Sequence, residues 1–249
     1  MTTNPEPATE TVTVLLVHGA FAESSSWNGV IPELHRHGHR VLAVANPLRG
    51  LQEDAAYLRS ILDTITGPVV IAGHSYGGSV MSEAADGVAS VSALVFVASF
   101  QLEQGESTAE LAAKFPGAEL GAALEPRPVP LPAGGTDTDL YIRQDRYHPV
   151  FAADVDPETA ALMAVTQRPI TSSALEAPAT RAAWRTVPSW ALVTRQDLAI
   201  PLESQRYMSE RAGSTTVEVE ASHAVTVSQP RTVADLIHQA VAASVGVTV

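Results

Sequence analysis

No cysteine occurs anywhere in the 249 residues of this chain. That excludes a disulfide framework, a thiolate nucleophile and a thiolate zinc site. It leaves the redox compartment open, since a chain without thiols is stable in either setting. Cationic side chains are scarce: 15 Lys and Arg stand against 27 Asp and Glu, a formal net charge of −12. Phosphate recognition needs clustered Lys and Arg, so nucleic acid and anionic membrane surfaces are disfavoured as partners. No apolar run approaches membrane-spanning length. Residues 1–10 hold prolines, threonines and acids but no apolar h-region. They read as a flexible tail and not as a secretory signal, and a cytoplasmic location is the expectation. There is no internal repeat.

What the chain does contain fits a globular enzyme. An apolar content of 45% and a charged content of 17% suit one α/β domain carrying an insertion. Its most informative stretch is Gly73-His74-Ser75-Tyr76-Gly77, a G-x-S-x-G pentapeptide. The apolar run Pro68 to Ala72 precedes it, and a small-residue helical stretch, Gly78 to Asp86, follows. Strand, tight turn and helix form the setting in which such a serine is lifted clear of a sheet. The turn forces strained dihedrals on Ser75, and Gly73, Gly77 and Gly78 remove side chains that would collide with neighbouring elements. The plainer reading is a glycine-rich turn with an N-capping serine.

Around the motif, extended runs alternate with helical spacing. Val12–Val17, Arg40–Ala45, Val69–Ala72 and Val91–Ala98 read as strands; Asn28–His37 and Leu51–Ile65 read as helices. The apolar positions of Val91–Ala98 hardly alternate, as expected for a parallel strand buried on both faces. Such a sheet is built from right-handed crossovers, and its ligands sit at the carboxyl ends of strands. His18, Ser75 and Ser99 all fall at those ends. The rhythm breaks between residues 100 and 187, an Ala- and Pro-rich segment with short helical pieces and one short extended piece, Leu140–Arg143. We read it as a cap over the sheet, with its Pro-rich part, Glu125–Pro132, crossing the surface. The rhythm returns with strands at Ser189–Thr194 and Thr215–Val219 and helices near Leu202–Arg211 and Gln229–Ala243. The organisation expected is therefore a tail at 1–10, an α/β core at 11–99 and 188–249, and a cap at 100–187.

A serine hydroxyl is a weak nucleophile without an adjacent base, and the base needs an orienting group. Asp197 follows one late strand and His223 follows the last, giving the chain order Ser, Asp, His. His223 would take the proton from Ser75, and Asp197 would hold the imidazole in its productive tautomer. Glu103, after the fourth strand, is the alternative acid. Among the other histidines, His18 and His74 read as structural, His148 as a cap residue able to touch substrate, and His238 as a packed or solvated helix residue. The group His35, His37 and His39 reads as a solvated helix end, and no metal site is assigned. The oxyanion of an acyl transfer needs amide donors, for which Tyr76 and Ala20 are the candidates, with Phe21 as the neighbouring choice.

These residues resemble the α/β-hydrolase superfamily. The start His18-Gly19-Ala20-Phe21, the elbow at Ser75, the Gln196-Asp197 and Ser222-His223 pairs and a compact cap are similar to small bacterial esterases related to plant methylesterases and hydroxynitrile lyases. The resemblance runs from Val12 to about Ala243, strongest in the sheet. It implies a mostly parallel sheet of eight strands or a close variant with an inserted helical cap, a Ser-His-Asp triad and no cofactor. Hydroxynitrile lyases of that branch carry a threonine after the first histidine and a lysine after the catalytic one, where this chain has Gly19 and Ala224. Dehalogenases and many epoxide hydrolases carry an aspartate where Ser75 stands. The expected activity is hydrolysis of a small or medium apolar carboxylic ester through an acyl-enzyme. Phe21, Phe100, Tyr141, Phe151 and Trp184 are the candidate pocket walls. The alternatives are a lyase, cyclase or acyl transferase on the same scaffold, or a ligand-binding protein with little turnover.

Overall fold

The structure is a computed structural model that describes residues 11–131, 134–244 and 246. The tail expected at 1–10 lies outside these residues. The first four strands are β1 (Thr13–Val17), β2 (Arg40–Val44), β3 (Val69–His74) and β4 (Val91–Val97). Each expected strand is present to within two residues. Strict alternation of side chains along β1, β3 and β4 splits their apolar residues between two cores. Leu15, Val17, Ile71, Leu94 and Phe96 enter one hydrophobic cluster, and Val14, Leu16, Val70, Val95 and Val97 enter the other. Both sides of these strands are covered, which is why the sequence shows runs in place of alternation.

The segment after β4 carries β5 (Leu124–Pro130), β6 (Thr136–Ile142) and β7 (Ile170–Thr171), and the chain then returns to the main sheet with β8 (Ser189–Thr194) and β9 (Thr215–Val219). The main sheet has six strands in the order β2-β1-β3-β4-β8-β9, every pair parallel. It is thus a six-stranded variant among the described residues, where the resemblance implied eight or close to it. Helices cover both faces. Tyr76–Ala85 is buried along its whole length on one face, and Pro230–Ser244 buries Val233, Leu236, Ile237 and Ala240 on the other.

The segment between β4 and β8 differs from the expectation of helical pieces with one short extended stretch. It holds a three-stranded antiparallel sheet, β5-β6-β7. The Pro-rich stretch forms β5 itself, paired with β6 from Leu124↔Ile142 to Pro130↔Thr136. Pro126, Pro128 and Pro130 occupy alternate positions, so the missing N–H groups all face away from the ladder, and β5 is an edge strand. Proline spacing of two is therefore compatible with a strand where clustered proline suggested a surface loop. The segment also holds a helix at Gln144–Phe151, with Pro149 inside it, that the sequence reading did not include. Tyr147, Val150 and Phe151 from this helix join the same hydrophobic cluster as Leu15 and Phe96. The segment and one face of the sheet share a core.

Backbone lies close to backbone between β1 and the helix after β3. A Cβ on Gly77 would stand 2.3 Å from the carbonyl oxygen of Val17. Backbone cannot yield there without separating the two elements. Gly77→Ala is expected to lower stability by about 3 kcal/mol or more, at the upper end for overpacking. Urea denaturation followed by circular dichroism measures it, and a loss below about 1 kcal/mol would show that the approach is not tight.

Candidate functional site

Five loops at the carboxyl ends of the parallel strands build the site. At the end of β3 the chain turns through Ser75 with φ 53° and ψ −127°, a left-handed conformation for a residue with a Cβ. Such a backbone costs on the order of 1–3 kcal/mol and persists only where its surroundings fix it. Here the Ser75 amide donates to Val97 O at 3.2 Å, and Ser75 O accepts from Ser99 Oγ at 2.6 Å and from the Gly78 amide at 3.0 Å. The turn is as tight as the pentapeptide implied: a Cβ on Gly73 would lie 2.7 Å from the carbonyl carbon of Gly77. Tyr76 opens the helix Tyr76–Ala85, so its amide has no acceptor within the helix.

After β8 and β9 the structure brings Asp197 and His223 together. His223 Nδ1 donates to Asp197 Oδ2 at 2.7 Å, and both side chains are almost wholly buried. Asp197 Oδ2 also accepts from Thr194 Oγ1 at 2.9 Å and Gln205 Nε2 at 3.0 Å, while Oδ1 accepts from the amides of Ala199 at 2.8 Å and Ile200 at 2.9 Å. Burial works against the charge of this carboxylate. The His223 imidazole and these donors outweigh it and hold the Asp197 pKa below the ordinary carboxylate value. Glu103, the alternative acid, pairs instead with Arg185, whose Nε donates to Glu103 Oε1 at 2.9 Å.

Ser75 and His223 line one cavity. Among the described residues neither Ser75 Oγ nor His223 Nε2 has a hydrogen-bond partner, and no bond joins the two. Nucleophile–base bonds are often long in ligand-free sites and tighten on binding. The β1 loop closes the other side of the serine. A Cβ on Gly19 would lie 2.6 Å from Ser75 Cβ and 3.2 Å from Ser75 Oγ, so bare backbone abuts the hydroxyl. His18 fixes this loop: its Nδ1 donates to Gly19 O at 2.9 Å, and its Nε2 accepts from the Asn46 amide at 2.9 Å. Burial lowers the His18 pKa, in keeping with this neutral tautomer. The Phe21 amide donates to Arg168 O at 3.0 Å. The amides of Ala20, in this loop, and Tyr76, at the start of the helix after β3, have no acceptor among the described residues.

The cavity is small, about 60 Å³. Phe21, Phe100 and Phe151 stand in its wall with Ala199, Ile200 and Leu175. The other two expected wall residues are elsewhere. Tyr141 lies on the surface of the inserted segment with the Arg127 guanidinium 4.6 Å from its ring centre. Trp184 is buried beside β4's exit, where its Nε1 donates to Leu102 O at 2.7 Å. Both belong to the segment in which pairing was not foreseen, and chain proximity to the cap did not translate into proximity to Ser75.

Other histidines take structural places. His148 does not line the cavity; it bonds Val155 O through Nε2 at 2.9 Å. His37 stacks on His238 with ring centres 4.1 Å apart, and His39 Nε2 and His238 Nδ1 share a hydrogen bond at 2.9 Å. No group of three or more His, Cys, Asp or Glu among the described residues is arranged to hold a metal ion. His74 does more than pack: its Nε2 donates to His223 O at 2.9 Å, and its ring lies 4.8 Å from that of His223. Sequence reasoning also missed Gln205 and Thr194 on Asp197, and Asn46 on His18. All are polar residues with no motif, and only their burial marks them. The inserted segment grips the His223 loop as well, since Ala224 N donates to Phe151 O at 3.0 Å and Ser222 Oγ bonds Asp154 Oδ1.

This strand order, with the serine turn after β3 and the acid and histidine after the last two strands, defines an α/β hydrolase fold. The comparisons agree: the alpha/beta hydrolase family model matches residues 14–236, and the chain belongs to that family. An alpha/beta hydrolase, nvfD, of Aspergillus novofumigatus is 26% identical over 252 aligned positions, covering 91% of this chain and 95% of that protein. Polyneuridine aldehyde esterase superposes with a TM-score of 0.78 at 21% identity, over 92% of this chain and 99% of that one. A methylesterase from Arabidopsis gives 0.77 at 17% identity, over 93% and 99%. A pyrethroid hydrolase from Sphingobium faniae gives 0.73 at 20% identity, over 92% and 97%. No helix among the described residues is long and apolar enough to cross a membrane.

Burial, and secondarily the neighbouring His223, lower the His74 pKa to about 3. In the unfolded chain the value is about 6.5. Below pH 6.5 the unfolded state therefore binds a proton that the folded state refuses, so stability is full above that pH and falls from 6.5 toward 3. Between pH 7 and pH 5 this one residue should cost about 2 kcal/mol. His74→Gln should lose that part of the pH dependence, read from urea unfolding at the two pH values; an unchanged slope would assign the acid sensitivity to other groups.

Proposed function

We propose that this protein is a cofactor-independent carboxylic-ester hydrolase working through an acyl-enzyme on Ser75. The observation that carries the reading is the Asp197–His223 pair at 2.7 Å, facing the same apolar cavity as a serine held in a strained turn. With Nδ1 donating to Asp197, the neutral imidazole presents Nε2 as an acceptor toward the cavity. Ser75 Oγ attacks the ester carbonyl carbon while its proton passes to His223 Nε2. The carbonyl oxygen becomes an oxyanion and accepts from the Ala20 and Tyr76 amides. The carbon–oxygen bond to the alcohol breaks, and the alcohol leaves with the proton from Nε2. Water then attacks the acyl group by the reverse sequence, restoring Ser75. Asp197 stays ionised and stabilises the imidazolium in both halves.

The likeness to an esterase, a methylesterase and a pyrethroid hydrolase supports ester chemistry at the level of reaction class. The largely apolar cavity wall supports an apolar small-molecule ester as substrate. Hydroxynitrile lyase chemistry is disfavoured because Gly19 and Ala224 stand where that branch carries the threonine hydroxyl and the lysine cation.

Ser75→Ala is expected to abolish turnover of 4-nitrophenyl acetate while the melting temperature stays within a few degrees. A fluorophosphonate should label Ser75 in the wild type, detected by peptide mass spectrometry. Turnover persisting at the wild-type rate in Ser75→Ala, or labelling at another residue, would refute the nucleophile. Asp197→Asn should lower kcat by about 10³ to 10⁴ through loss of the productive tautomer; a decrease under tenfold in steady-state kinetics would remove Asp197 from its role.

A further inference from the structure

Phe21 separates two spaces. On one side lies the Ser75 cavity, whose 60 Å³ holds a few water molecules and no ester. On the other lies an outer groove of about 320 Å³, bordered by Phe21, Asn28, Tyr147, Met163, Thr166 and Val227. Phe21 is the residue in the wall of both that also faces the catalytic histidine's neighbourhood. Its ring meets that of Phe151 edge-on at 6.2 Å, and the Phe151 ring stands 4.8 Å from that of His223.

The backbone of Phe21 is clamped while its side chain is held only by packing. Its amide donates to Arg168 O at 3.0 Å, its carbonyl accepts from Tyr147 Oη at 2.8 Å, and its φ is 59°. The far wall of the groove, the helix Pro157–Thr166, is tied to the β1 loop by the Glu23–Arg168 ion pair at 2.9 Å.

We propose that the outer groove is the second half of the substrate site, that it takes the distal part of a medium-chain acyl group, and that the Phe21 ring is the partition that sets acyl length. This rests on the ester-hydrolase reading. Phe21, Tyr147, Met163 and Val227 give the groove apolar surface along which an alkyl chain can lie, and Glu23, Ser26, Asn28 and Gln167 add polar groups to its wall, which suits a chain ending near solvent.

The test compares 4-nitrophenyl acetate and octanoate on Phe21→Ala, with Phe21→Leu as the milder variant should the first fold poorly. The octanoate-to-acetate ratio of kcat/KM should rise at least tenfold in Phe21→Ala and less in Phe21→Leu. Adding Thr166→Trp or Met163→Trp, which fills the groove, should return the ratio toward the wild-type value. An unchanged ratio in both Phe21 variants, or a gain that survives both tryptophans, overturns the proposal and places the added room elsewhere. The same substitutions in a Ser75→Ala background are titrated calorimetrically with methyl octanoate, whose affinity should follow the same order. Absent turnover of either ester by the wild type, with that affinity order intact, refutes the hydrolase chemistry and retains the groove. Affinity that ignores Phe21 and the tryptophans refutes the groove whatever the turnover.

Discussion

Everything at this site depends on two backbones lying closer together than side chains allow. Gly19 touches the Ser75 side chain, Gly77 touches the carbonyl of Val17, and Gly73 touches Gly77 itself. These contacts press the end of β1 against the turn after β3. They hold Ser75 in a left-handed conformation that would otherwise relax. The register between β1 and β3 places Val17 beside Gly73, at the start of this turn.

The second organising feature is a buried charge that is fully paired. Asp197 has five donors on two oxygens, from Thr194, Gln205, Ala199, Ile200 and His223. A buried carboxylate left unpaired would protonate and cease to orient an imidazole. Gln205 sits on the helix Leu202–Ala212 that follows β8, so that crossover helix stabilises the acid as well as covering the sheet. His74 and the 151–154 stretch then fix the backbone around His223. The imidazole is located by groups from three separate parts of the chain.

The inserted segment takes part in this arrangement as a structural wall. It shares a hydrophobic core with the sheet, and Glu83 on the buried helix accepts from the amides of Thr180 at 2.9 Å and Arg181 at 3.0 Å where the segment returns. Small and aliphatic residues such as Ala109, Ala112 and Leu175 close over Ser75, and the resulting space is tight.

Much of this was legible in the linear chain. The apolar runs reported strands buried on both faces, and their alternation with helical spacing fixed the parallel topology and the serine turn. The order Ser75, Asp197, His223 at strand ends named the residues that meet or share one cavity, because parallel strands send all their carboxyl ends to one rim. The chain's local pattern could not reveal the β5–β6 pairing. Prolines at every second position look like a loop until a partner strand shows which side lacks donors. Nor could it separate Phe151, which faces His223, from Tyr141 and Trp184, which do not. Aromatic identity does not say whether a side chain is buried or what it packs against; the pairing of distant segments decides both, as surface Tyr141 and buried Trp184 show. The same holds for Gln205, Asn46 and His74, whose roles exist only as long-range hydrogen bonds. The sequence by itself determined the candidate residues at the strand ends and the strands that carry them, since both follow from short-range periodicity and backbone sterics. Only the tertiary structure decided the shape of the cavity and the partners that hold its residues, since those are set by contacts between positions far apart along the chain.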